Sequence, residues 1–530
     1  MITRKKSILS ILVILVLTFA TSCVPETPNG DGSGSQSVVE TENAIIEESL
    51  DWSTVSPEDL WMGIESIYYS DGPDMALSLL ERGIDMGVVT DLEAQQVRAV
   101  YLYELGRLDE AFIALFGYQI DSSRPDLLRL RADILWGMAR YTDALRDYQA
   151  ILDSQADEPD PEIMFSIALL ADSIGDWELA YGMRQRIFSQ PEHYITTQVI
   201  LHDLIQTENP DALRLVSSQF VNLTGTVSNL PRVAYADMYA SFLESDYDRA
   251  IETGESFLAE NGFDISIAQL LLRIDTVKKD YVALESRLRG YFEDLDAIAW
   301  YDSPIESIPP ATSRAIEVAG LLDSASALEL GRDHPIMARL FASRAKTLNP
   351  YDYVACLQLA AVEMYRGDMV RSFENLSDAL EWSPPSDIRT RLRMIQFAPL
   401  IPDDDVVVWD EDTVVRELGM YLSHWEEMYP DNSFMRYARA ELTGYHGDID
   451  GALRLYESAA SLPGTSPDAV IRHAYWIARS GDVDSAMELI VESFPEHAPY
   501  SMWVRAVETE AVVSADPALA AFALALRDHF

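Results

Sequence analysis

The sequence predicts an all-α protein, a solenoid of stacked helical hairpins. Three observations carry that prediction. Apolar residues recur at three- and four-residue steps through most of the chain after Pro57, alternating β-branched runs are absent apart from the short Val406-Val407-Val408, and one six-residue turn phrase keeps returning. Pro and Gly fall between the periodic stretches, where helices end.

The N-terminus is of another kind. Arg4-Lys5-Lys6 precedes an apolar run from Ile8 to Leu17, and the small residues Ala20-Thr21-Ser22 lead into Cys23. A basic start, a short apolar core and a small-residue exit describe a secretory signal peptide over 1–22, too short and wrongly flanked for a stable membrane span. The cysteine that follows resembles a bacterial lipobox, with Ala20 where Leu is usual. The resemblance implies lipidation of Cys23 and a chain anchored on the extracytoplasmic side of a bacterial cell envelope, its body in the periplasm or at the surface. Val24 after that cysteine is compatible with an outer membrane. Residues 24–44, rich in Pro, Gly, Ser and acid, cannot offset the entropy of ordering and read as a flexible tether within 23–45.

The 530 residues carry 39 Lys and Arg against 87 Asp and Glu, a formal charge of −48 that becomes −51 without Arg4, Lys5 and Lys6. That field repels nucleic acid and anionic headgroups and favours basic or cationic partners, or else simply keeps an exported protein soluble. Cysteine occurs only as Cys23 and Cys356, so a lipidated Cys23 leaves no intramolecular disulfide, and stability rests on the core that 48% apolar residues supply.

The turn phrase is Gly-Arg-Leu-Asp-Glu-Ala at 106–111, Ala-Arg-Tyr-Thr-Asp-Ala at 139–144, Gly-Asp-Trp-Glu-Leu-Ala at 175–180 and Ser-Asp-Tyr-Asp-Arg-Ala at 245–250. It returns as Gly-Asp-Met-Val-Arg-Ser at 367–372, Gly-Asp-Ile-Asp-Gly-Ala at 447–452 and Gly-Asp-Val-Asp-Ser-Ala at 481–486. Its first residue suits the left-handed close of one helix, its Asp suits the cap of the next, and its last small residue lets the two helices cross closely. Ala452 and Ala486 are 34 residues apart, as are Ala338 and Ser372, while Ala111 and Ala144 are 33 apart.

A period of 34 with this punctuation resembles the tetratricopeptide (TPR) repeat family. The family's small residue twelve before the turn position is present as Ala99, Ala132, Ala168, Ala360, Ala440 and Ala474. Its large residue four after is Leu115, Tyr148, Leu376, Tyr456 and Ile490, whereas Arg184 and Gly254 depart from the pattern. The resemblance implies a right-handed α-α superhelix: an N-terminal solenoid over 46–260, degenerate repeats at 261–325, further repeats at 326–400 and 413–498, an acidic loop at 401–412, and capping helices at 499–530 around Asp516-Pro517. It also implies a concave partner-binding groove lined eight, eleven and fifteen residues before each turn position. Those offsets mark Tyr103 with Val100, Trp136 with Asp133 and Arg129, Met364 with Ala361, Tyr437 with Glu441, and Tyr475 with Ile471. Aromatics interleaved with polar groups suit a peptide groove, and fewer than half of these side chains are expected to be exposed. The family's two-Lys carboxylate clamp is not evident.

Motifs that carry chemistry are few. Signatures for phosphate loops, dinucleotides, metalloproteases and nucleophile elbows do not occur, and eight scattered histidines give zinc no site, so neither metal nor cofactor is expected. Ser343-Arg344-Ala345-Lys346 spells a nucleophile box, but inside a second helix and without its partner box. His446, Asp448, Asp450 and Glu457 imitate a calcium loop with the wrong first ligand. Asp403-Asp404-Asp405 and Asp410-Glu411-Asp412 flank Trp409 in a way that suits a glycosidase and equally a solvated loop. His473 and Cys356 read as packed residues. The resulting expectation is a non-enzymatic adaptor that holds envelope proteins. Two alternatives stand beside it. One is a nutrient-binding lipoprotein resembling the SusD family, with Trp300-Tyr301, Trp382 and Trp409 as its glycan platform; the other is an all-α glycan-processing enzyme.

Overall fold

The computed structural model describes residue 52 and 55–529, except 117, 119, 121–122, 156–158, 190–193, 225–229, 279, 305–306, 308, 310–311, 313, 403–406, 463–465 and 495–501. Cys23, the signal, the tether and Asp403-Asp404-Asp405 lie outside the described residues. Among those described there is no strand, and twenty-seven α-helices follow one another with a single 3-10 turn.

The helices pair as antiparallel hairpins. The first six are α1 (Pro57–Asp71) with α2 (Pro73–Asp85), α3 (Leu92–Glu104) with α4 (Leu108–Leu115), α5 (Pro125–Gly137) with α6 (Tyr141–Ser154), α7 (Pro161–Ile174) with α8 (Trp177–Phe188), α9 (Tyr194–Thr207) with α10 (Pro210–Thr224), and α11 (Pro231–Leu243) with α12 (Tyr247–Asn261). Next come α13 (Ile265–Lys278) with α14 (Tyr281–Asp294), the short α15 (Ile298–Asp302), α16 (Ala315–Gly331) with α17 (Pro335–Leu348), and α18 (Tyr353–Arg366) with α19 (Met369–Trp382). The chain closes with α20 (Ile388–Phe397) and α21 (Glu411–Met428), α22 (Ser433–Tyr445) and α23 (Ile449–Ala460), α24 (Pro467–Arg479) and α25 (Val483–Ser493), and α26 (Met502–Ser514) with α27 (Pro517–His529).

The turn phrase does what its chemistry dictates. The Asp176, Asp246, Asp368, Asp448 and Asp482 side chains each accept the backbone N–H three residues on, capping α8, α12, α19, α23 and α25. The first residue of the phrase is left-handed whether or not it is glycine: φ is 80° at Gly175 and 57° at Ala139. The same left-handed residue appears at Glu208 (φ 51°) and Asp333 (φ 62°), where the phrase cannot be read, so 195–235 keeps its hairpin. Each small residue twelve before the turn, from Ala99 to Ala474, is fully buried, as are the turn residues Ala111, Ala144, Ala338, Ser372, Ala452 and Ala486. Ser372 fits the crossing because its hydroxyl donates to the Ala360 carbonyl (2.8 Å). The two departures from the pattern are also resolved. Arg184 pairs with Asp172 and lies 3.4 Å from Asp203, and the space a side chain would occupy at Gly254 is taken by Met238.

The solenoid returns upon itself. The Tyr351 hydroxyl donates to Asp109 (2.6 Å) and the Tyr141 hydroxyl to the Trp382 carbonyl (2.9 Å), pairs 242 and 241 residues apart. That separation is close to seven repeats of 34 residues, 238 in all. Further along the same seam, Ser386 donates to the Ser173 carbonyl (2.9 Å), Trp177 stacks on His424 with centroids 3.7 Å apart, and Asn432 donates to the Gln206 carbonyl (2.8 Å). Gly106 shows how closely the passes approach: a Cβ there would lie 2.5 Å from the Leu348 carbonyl oxygen. Turns of one pass therefore dock on inter-hairpin loops of the next.

Candidate functional site

Between the two passes lies a lumen of about 610 Å³. From the first pass, Trp136 of α5, His202 of α9, Tyr235 and Tyr239 of α11 and Arg273 of α13 face it. Tyr353 of α18, Arg389 of α20, Trp425 of α21 and Tyr437 of α22 face it from the second. No single hairpin could build this site, because its walls are about seven repeats apart in sequence.

Charge in the lumen is arranged unevenly. Arg389 and Arg273 both line the lumen, with side chains exposed to it. Neither forms an ion pair with a described carboxylate. The two nearest acids are engaged elsewhere: Asp387 accepts from the Thr390 amide (3.2 Å), and Glu208 accepts from the Ser433 amide (2.9 Å) and hydroxyl (3.2 Å). Burial raises the pKa of both carboxyls, against the pull of Arg389 on Asp387 and of the Ser433 hydrogen bonds on Glu208. His202 is pushed down to about 3, first by burial and then by Arg232 and Arg184, so its imidazole is neutral. Arg232 lies 5.1 Å from the Phe165 ring, and its Nη1 has no hydrogen-bond partner.

The residues expected to line a groove divide into two sets. Tyr103, Arg129, Asp133 and Trp136 of the first pass are half-buried. Trp136 faces the lumen, Arg129 reaches Glu162 (3.4 Å), and Asp133 accepts from the Tyr148 hydroxyl while burial pushes it up to about 6. Met364, Tyr437, Glu441 and Tyr475 of the second pass are buried, which corrects the expectation that they present side chains to a partner, Tyr437 reaching only the lumen wall. The reason is the C-terminal pair. Helix α26 contacts α18 and α24, and its fully buried Trp503 packs on Phe397 (5.9 Å) and under the guanidiniums of Arg393 (4.6 Å) and Arg472 (5.1 Å). The chain's own end lies over the groove of its second pass.

Beneath α26 most polar groups are satisfied by one another, the buried Trp503 indole N–H being an exception. Glu441 pairs with Arg472 (2.7 Å), and also accepts from the Trp476 indole (3.1 Å) and the Tyr456 hydroxyl. Tyr475 donates to Glu510 (2.8 Å), which pairs with Arg479. Gln396 donates to the Tyr437 hydroxyl (2.6 Å).

The other motifs are structural where described. Lys346 pairs with Asp378 (2.7 Å), Asp448 caps α23, Asp410 caps α21, His473 stacks on Tyr456 (5.1 Å) and Cys356 is buried. The aromatic platform is dispersed: Trp300 is buried, Tyr301 sits between Phe292 and Phe341, Trp382 packs on Tyr351 and Trp409 on Phe373.

The lumen residues other than Trp136 and Tyr437 escaped the sequence reading, although a signal for them existed. The structure marks turn positions at Ala180, Leu213, Ala250 and Leu284. Counting back eight, eleven and fifteen residues from these reaches Asp172 and Leu169, Ile205 and His202, Tyr239 and Tyr235, and Arg273, all of which line the lumen. The offsets hold: the readable phrases at 175–180 and 245–250 point to Asp172, Leu169, Tyr239 and Tyr235, whereas the turn at Glu208 and the one before Leu284 lack a readable phrase.

The fold and lumen define an all-α helical-repeat protein of stacked hairpins. Residues 129–181 match the tetratricopeptide repeat family. A solved structure described as a crystal structure of the APC/C hetero-tetramer Cut9-Hcn1 is similar at 12% identity with a TM-score of 0.47, covering 93% of this chain and 94% of that one. No curated protein matches.

Proposed function

We propose that the protein is an exported, lipid-anchored adaptor that holds other envelope proteins or peptides, basic ones among them, on the extracytoplasmic side of a bacterial membrane, the outer one in preference. Cys23 carries the lipid and the acidic tether lets the body stand off the bilayer. Recognition uses the surface of the repeats and involves no covalent step. One observation supports partner binding most directly: at the end of the second hairpin Ile113 is 62% and Phe116 74% exposed, two large apolar side chains one helical turn apart that a partner would cover. The groove beneath α26 is already occupied, which moves recognition to such outer positions.

Crosslinking of the native protein in its own envelope, read by mass spectrometry, tests this. A reproducible set of captured proteins, lost in Ile113→Asp and Phe116→Asp, is the expected result. Capture that is unchanged in both variants would remove this surface from consideration. Separately, Cys23→Ser is expected to move the protein from the membrane to the soluble fraction, and retention on the membrane would end the anchor assignment.

A further inference from the structure

Two arginines of the lumen form no ion pair with a described carboxylate, although Asp172, Glu208 and Asp387 share its lining, and this in a chain with 87 acidic and 39 basic residues. With acids in such excess, many arginines find carboxylates: Arg184 pairs with Asp172, Arg287 with Asp275 (2.8 Å) and Arg391 with Glu417 (2.7 Å), whereas Arg232 beside His202 keeps an unpartnered Nη1. Arg273 and Arg389 are set apart from that pattern. Arg273 lies 4.7 Å from the Phe242 ring, and the Tyr235 hydroxyl is held within the field of both guanidiniums. Tyrosine rings and the Trp136 and Trp425 indoles supply flat apolar faces around them. The volume, about 610 Å³, falls in the roughly 300–1,000 Å³ range of small-molecule sites, and the lining mixes polar and apolar groups in similar measure. A guanidinium fork matches the geometry of a carboxylate or phosphate, and its hydrogen bonds to an oxyanion are charge-assisted.

We propose that the lumen is a binding site for a small anionic organic molecule, its carboxylate or phosphate held by Arg273 and Arg389 and its body laid against the tyrosine and tryptophan rings. The overall charge of the chain points to basic partners at the outer surface; this inner site selects the opposite sign. Because its walls come from both passes of the solenoid, an occupant would bridge them. The proposal is independent of the adaptor assignment, since loss of partner capture at Ile113 and Phe116 leaves the lumen unchanged.

Phenyl phosphate, phenylacetate and the uncharged benzyl alcohol, titrated into the full chain and followed by calorimetry and by the tryptophan fluorescence of Trp136 and Trp425, provide the test. Saturable millimolar or tighter binding of at least one anion, and not of the alcohol, is expected; which anion binds distinguishes phosphate from carboxylate. Arg389→Gln and Arg273→Gln should each weaken that binding about tenfold or more, as loss of a charged hydrogen bond implies, with Arg389→Lys retaining more of it and the exposed Arg416→Gln unchanged. Circular dichroism melts establish that each variant is folded. Absence of saturable binding by either anion, equal binding of the alcohol, or undiminished binding in both folded glutamine variants would overturn the proposal.

Discussion

Two interior regions of this protein contain the same kinds of residue and use them in opposite ways. In the core beneath α26, Arg472 and Glu441 are 4% and 2% exposed, and the carboxylate accepts from an arginine, an indole and a phenol. In the lumen, arginine, tyrosine, tryptophan and acid are again close together, but the acids take backbone and hydroxyl donors and the guanidiniums are left facing space. The first arrangement is closed because a capping hairpin supplies its last wall. The second is open because its walls are two passes that meet where the turns of the first dock on the loops and on α21 of the second. Composition alone does not separate a structural network from a binding site; what separates them is whether each charge has its partner within the protein.

This difference can be tested by substitution, and the largest effect belongs to the closed core. Glu441→Ala leaves Arg472, Trp476 and Tyr456 without their acceptor, and should cost about 3–5 kcal/mol in denaturant unfolding, with lost hydrogen-exchange protection in α22 and α24. The double replacement Glu441→Leu with Arg472→Met should cost less than Glu441→Ala, since no charge is then orphaned. If the double variant were the worse of the two, the network would owe its stability to shape and not to satisfied charge.

A pH titration sharpens the comparison from the lumen side. The unfolded chain takes up a proton at the ordinary histidine value of 6.5, whereas folded His202 resists it until about 3. The unfolded state therefore binds more protons in that window, and stability should fall as pH is lowered from about 6.5 toward 3. His202→Asn should flatten this acid limb in thermal melts; a limb of unchanged steepness would place the titration elsewhere.

Smaller effects follow. Asp448→Ala removes the acceptor of the Gly451 amide (2.8 Å) at the start of α23 and should cost about 1 kcal/mol in the same unfolding measurement. Arg389→Gln should change stability by no more than about 0.5 kcal/mol, since no ion pair is lost. A loss as large as that of Glu441→Ala would make the lumen a second structural network and erase the distinction.

Much of the fold is legible in the sequence because the repeat is local. Gly175, Asp176 and Ala180 lie within six residues, and their left-handed φ, cap and close crossing each follow from one residue's chemistry. The turn at Glu208 is invisible for the converse reason: tertiary packing holds a poor left-handed residue there, with its carboxylate bound to Ser433 of the other pass. The site was legible by halves. Offsets from readable turns found Trp136 and Tyr437, while Arg273 and His202 lie on helices whose turns had lost their phrase, and Arg389 opens a helix in the stretch between repeats.

By itself the sequence determined that this chain is a stack of helical hairpins, where most of them turn, and which small residues let them cross, because those properties depend on contacts a few residues or one repeat away. Only the tertiary structure decided that the stack meets itself about seven repeats later, that its last hairpin covers its own groove, and that two arginines remain without acids. Those outcomes depend on small angles accumulated over some 240 residues, and no local pattern records such a sum.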